Sequence, residues 1–135
     1  MKALLMTVFA AALVLLAPAS AAAQAAAPAV PKYDLAAEKL IVGKIISVHD
    51  RQCPVSGTLG AHFILQATDG KQYEVHLAPT KFAKNFDIAF TAGEKVEVLG
   101  NTLVFQEKDA IFARQVKHGS ETVTFRDKKG NPIWN

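Results

Sequence analysis

The sequence predicts an all-β protein with one short helix, its five to six strands closing into a Greek-key barrel behind a signal peptide. Three observations predict it. Short β-branched segments recur between glycine-bearing turns. Asp69-Gly70 separates two runs that alternate apolar and polar residues, the strongest local hairpin signal in the chain. An unbroken apolar stretch followed by small residues opens the chain.

That opening comes first in order. Lys2 is a short positive start, and residues 3–17 are apolar apart from Thr7. Pro18 ends the run, and Ala19-Ser20-Ala21-Ala22-Ala23-Gln24 supplies an A-x-A cleavage pattern. The run is short for a bilayer span, so cleavage is expected rather than anchoring. The reading is a signal peptide over 1–23, a flexible Ala/Pro-rich leader over 24–33, and one barrel domain over 34–135. The expected location is periplasmic or secreted, with no stable membrane insertion after cleavage.

A mature chain of about 110 residues suits one domain with a modest core. The net charge of the 135-residue chain is +3, and Lys2 contributes one of those charges. This mild balance, with export, leads to the expectation that nucleic acid is no partner. The single cysteine, Cys53, excludes an intrachain disulfide. It is a buried thiol, a redox thiol beside Arg51, an interchain bridge or a metal ligand.

Within the domain, Asp34 can cap a helical turn over residues 35–39. Residues 40–49 form a long strand with Gly43 at a bend. Residues 50–60, with Pro54, Gly57 and Gly60, read as a loop. Residues 61–68 and 71–77 form the hairpin about Asp69-Gly70. Pro79 then opens a short helix over residues 80–85. Phe82 and Phe86 fall four apart, one face of that helix, and are expected to plug the barrel. Residues 95–99 form a strand, Gly100-Asn101 a turn, residues 103–105 a continuation, and residues 110–117 and 122–126 two more strands.

A long bent strand, a hairpin, a short helix and further strands are the element order of an OB-like barrel. The chain resembles the small exported bacterial OB-fold proteins in three stretches. These are Val42-Gly43-Lys44-Ile45, the Asp69-Gly70 hairpin, and Gly93-Glu94-Lys95-Val96-Glu97-Val98-Leu99-Gly100. His76-Leu77-Ala78-Pro79 and the closing segment from Phe125-Arg126-Asp127 through Gly130-Asn131-Pro132-Ile133-Trp134 are similar to an uncharacterised secreted group of such proteins. The resemblance implies the fold and export, and no activity.

The candidate site follows from register. Phe63, Leu65 and Ala67 alternate with His62, Ile64 and Gln66, and Tyr73, Val75 and Leu77 alternate with Gln72, Glu74 and His76. The apolar sets belong inside the barrel and the polar sets on the solvated face. A three-residue turn with a glycine bulge sets Phe63 opposite Val75 and His62 opposite His76. Two facing imidazoles can share Zn or Cu. His49, ending the first strand, and Cys53 beyond it complete a candidate ligand set of His49, Cys53, His62 and His76. Trp134, at the chain end, either docks on the barrel or forms part of a ligand-binding surface.

No catalytic residues are assigned. Glu94, Glu97, Glu107, Lys108, Asp109 and Arg114 form no paired-carboxylate or triad pattern. The expected function is an exported binding or accessory module without enzymatic activity, with a protein, peptide or glycan ligand. Metal binding or metal trafficking through the His/Cys set is the second reading, and a small exported enzyme the third.

Overall fold

The computed structural model describes residues 29–135, so the expected signal peptide lies outside the described residues. Asp34 does cap a turn, its Oδ1 accepting from the Ala36 amide at 2.9 Å. The turn is a single 3-10 turn over Leu35–Ala37 and stops before Lys39. Glu38 is already extended and paired with Asn101.

Among the described residues six strands and one helix follow: β1 Glu38–Cys53, β2 Thr58–Ala67, β3 Gln72–Pro79, α1 Thr80–Asn85, β4 Lys95–Phe105, β5 Lys108–His118 and β6 Glu121–Thr124. The strand order is β3-β2-β1-β4-β5-β6, and a parallel pairing of β3 with β5 closes the ring. This is the expected OB-like barrel, with β6 added along β5.

β1 is shared between two neighbours. Its first half pairs with β4 and its second half with β2. It bends where the register slips between Ile45 and Ser47. Gly43 sits at the crossover, where a Cβ would strike the backbone carbonyl of Gln66. Glycine is needed there for close approach of two backbones. The second hairpin has the expected glycine bulge. Gly70 has φ +89°, its amide bonds Ala67 O, and Phe63 pairs with Val75.

Three expectations are corrected. Residues 50–60 are not a loop: β1 runs to Cys53, β2 starts at Thr58, and only a tight turn with Gly57 at φ +72° lies between. The Ser56 hydroxyl donates to Cys53 O and Thr58 O and so ties the two ends together. Gly100-Asn101 is not a turn but a register shift inside a continuous β4. The turn comes later, at Gln106 and Glu107, both at positive φ. Phe86 is not a plug. It is 65% exposed, while Phe82 packs on the core. The helix ends at Asn85, and Phe86 is its C-cap residue, so the i,i+4 spacing no longer sets its side chain on the Phe82 face.

Two apolar cores result. Phe63, Leu65, Val75, Val98, Ile111 and Val116 fill the barrel. Phe105, Ala110 and Phe112 form a smaller cluster on the other side of β3 and β5, with Tyr33, Val55 and Leu103 around it. The polar face of the hairpin therefore meets solvent only in part: Gln66 and Gln72 are exposed as expected, while His62, Glu74 and His76 are buried.

Candidate metal centre

Alternation along β1 puts His49, Arg51 and Cys53 on one face of its free-curling end. Register then sets His49 beside His62 on β2, and His62 beside His76 on β3. Parallel pairing brings Phe112 against His76. The rings of Phe105 and Phe112 stand edge-on to His76, each 5.4 Å away. Their cover explains the burial: His62 is 1% exposed, His76 3% and Cys53 4%.

Cys53 Sγ lies 3.3 Å from His76 Nδ1, and His62 Nε2 lies 3.0 Å from the same nitrogen. One donor atom from each of the three residues falls within 4.8 Å of the others. Zn–N and Zn–S bonds at tetrahedral angles give N···N edges of about 3.3 Å and N···S edges of about 3.5 Å. The two edges that meet at His76 Nδ1 are thus within a few tenths of an ångström of those values, and the Cys53–His62 edge lies within 4.8 Å.

Burial first, and then the neighbouring cationic groups, pulls His62 down to about 4. Burial first, and then His62, pulls His76 down to about 3. Both imidazoles are neutral at neutral pH, the form that binds a metal. Nδ1 of His62 is buried without a hydrogen-bond partner of full geometry, although the Gly60 backbone partly offsets its burial.

His49 stands apart from this trio. It is half-buried and stacks on His62, with ring centres 5.6 Å apart and planes 17° apart. Its Nε2 lies 3.6 Å from Glu74 Oε1, so His49, His62 and Glu74 form a second, outer grouping. Glu74 is committed elsewhere: Arg51 Nε donates to its Oε1 at 2.6 Å, and Lys108 Nζ stands 3.6 Å from Oε2. Burial pushes the Glu74 carboxyl up, but the hydrogen bond and charge of Arg51 prevail and hold it at about 2. Arg51 also donates to Gln106 Oε1 at 2.9 Å.

Trp134 docks on the barrel, half-buried against the core. The Arg126 guanidinium lies 5.2 Å from its ring centre and 5.1 Å from that of Tyr33. A cavity of about 10 Å³, room for about one water, lies against Cys53, Val55, His62, His76 and Trp134. His118, the remaining histidine, belongs to a different cluster with Glu94, Glu121 and Phe90.

Sequence reasoning missed Glu74 and Arg51 as parts of the site. Glu74 alternates in phase with His76, and Arg51 with His49 and Cys53, so the signal was there once β1 was known to reach Cys53. Reading residues 50–60 as a loop concealed it.

No curated protein sequence matches the chain. Among solved structures, the small single-stranded DNA-binding protein from Streptomyces coelicolor is similar at 20% identity and a TM-score of 0.46, over 61% of this chain and 90% of that one. The expectation of a protein, peptide or glycan ligand with nucleic acid excluded is corrected. The small net charge of the whole chain does not decide the charge of one groove, so it does not exclude nucleic acid. Among the described residues, no helix is long and apolar enough to cross a membrane. The family model of the MamS/MamX magnetosome proteins matches residues 38–123, which hold β1 through most of β6 and all three members of the buried trio, and the chain belongs to that family.

Proposed function

We propose that this member of the family is an exported accessory module that binds one d-block metal ion, Zn or Cu, through Cys53, His62 and His76, and has no catalytic activity of its own. One observation carries the reading: a thiol and two neutral imidazoles converge with 3.0 and 3.3 Å spacings in a buried pocket. Structural thiols and imidazoles are commonly buried singly, but here three bring donor atoms within 4.8 Å of one another. Export to the periplasm or beyond would place Cys53 in an oxidising compartment, and its burial would shield it from disulfide exchange there.

The test is metal content and titration of the purified protein beside a His62→Ala/His76→Ala variant. One ion per chain, lost in the variant while its circular dichroism is unchanged, is the expected result. Absence of binding by the wild-type protein would overturn the reading.

A further inference from the structure

We propose that the Cys53–His62–His76 site selects monovalent copper over divalent zinc. This rests on the metal-binding reading above and adds the identity of the ion.

The number of ligands favours monovalent copper. Among the described residues, no fourth His, Cys, Asp or Glu joins this trio within 4.8 Å. Glu74 is held by Arg51 and grouped with His49 on the outer side. Zinc in a protein takes four ligands, and water would have to be the fourth. The adjoining cavity has room for about one water, but Val55, Leu77, Ala78 and Trp134 make up its apolar walls. Ser56, its polar lining residue outside the trio, shares its one hydroxyl proton between Cys53 O and Thr58 O and keeps only its oxygen as an acceptor. A zinc-bound water there would have that one lining side-chain acceptor for its two protons, fewer partners than a buried water ordinarily takes. Soft monovalent copper is satisfied by thiolate and imidazole donors.

The charge of the ligand set favours the same ion. Two neutral imidazoles and one thiolate carry a single negative charge. When Cu(I) binds, the Cys53 S–H bond breaks, an S–Cu bond forms and the proton leaves to solvent. No electron moves, and the filled site is neutral. Zn(II) leaves it with a net positive charge, buried beside Phe105 and Phe112. The surrounding charges do not compensate. Arg51 and Lys108 take up Glu74, and Arg126 is itself buried without a carboxylate partner. An uncompensated charge in such a place is strongly disfavoured.

The experiment titrates the full-length mature protein anaerobically with Cu(I) held by a chromophoric chelator, and separately with Zn(II) against a zinc chelator. X-ray absorption of the loaded protein gives the ligand count. Cys53→Ser and His76→Ala are run in parallel, with circular dichroism to check folding. Emission from Trp134, the single tryptophan, reads occupancy directly because it lines the same cavity. The expected result is one three-coordinate Cu(I), with Zn(II) at least about a hundredfold weaker. Cys53→Ser should lose Cu(I) while remaining folded. Zn(II) binding as tightly as Cu(I), or a four-coordinate ion, would overturn the selectivity and leave the metal reading intact. No binding of either ion would overturn both.

Discussion

Replacing Arg51 by Met removes the one guanidinium that hydrogen-bonds the buried Glu74 carboxylate. The methionine keeps most of the aliphatic stem, so the loss is mainly electrostatic. Glu74 lies at about 2 in the folded protein against an ordinary 4.5. That difference corresponds to about 3 kcal/mol favouring the charged form. Arg51 is 31% exposed, and His49 and Lys108 remain near the carboxylate, so part of the effect survives its removal. The expected loss is about 2 kcal/mol at pH 7, with solvent screening counted. The sign with pH follows from linkage. A carboxyl depressed by folding stabilises the protein fully above its unfolded value near 4.5, and that share disappears as pH falls towards 2. The gap between wild type and variant should therefore close in acid. Urea unfolding of the metal-free proteins at pH 7 and pH 3 reads both quantities. A second change, Glu74→Leu in the Arg51→Met background, should restore most of the loss, because an apolar pair needs no counter-charge. A gap under about 0.5 kcal/mol at pH 7 would refute the reasoning. So would a gap that is equal at both pH values, which would mean lost packing alone.

Gly100→Ala should cost about 2–3 kcal/mol by thermal or urea unfolding, because its Cβ meets the Phe112 carbonyl oxygen and lies 2.6 Å from Ile111 Cγ2; a neutral result would mean the β4 shift can absorb a side chain. Phe82→Ala should cost about 3 kcal/mol while Phe86→Ala costs under about 1, since only Phe82 packs on the core; equal losses would contradict the assigned helix face. Glu38 is held below the ordinary carboxylate range by hydrogen bonds from Arg114 first, against burial, with Tyr33 adding a further bond. Its share of stability is present above pH 4.5 and lost as pH falls below it, and Glu38→Gln should flatten that part of the acid limb.

The β2–β3 hairpin, its glycine bulge and the short helix were legible because each rests on local chemistry: alternation, Asp-Gly and Pro79. The facing of His62 and His76 was legible for the same reason, since a turn fixes register without knowledge of the rest of the fold. What covers them was not. Phe105 and Phe112 arrive through the closing of β3 on β5, a pairing no local signal announces. The turn between β4 and β5 uses Gln106 and Glu107 at positive φ, residues that carry no turn signature, so glycine at 100 drew the boundary instead. Polar residues such as His62, Glu74 and His76 alternate with the core set and read as solvated. A second cluster of aromatic residues outside the barrel makes them interior.

The pairing of β3 with β5 also governs how this protein behaves in a crowd of its own copies. An open sheet offers a row of free amides and carbonyls to any passing strand, and that is where ordered aggregates begin. Joining β3 to β5 over residues 74–76 and 110–112 closes the ring and takes up that stretch of both strands' edges. The outermost strand is β6, four residues long, with Glu121, Thr122 and Thr124 exposed. A ledge so short and hydrophilic is a poor template. Of the exposed apolar side chains on β1, Leu40 and Val42 lie where the strand pairs with β4, Val48 where it pairs with β2, and Ile46 at the slip between them. The outermost strand, β6, carries none of the exposed aliphatic groups, which helps the barrel stay dispersed despite showing such groups to water.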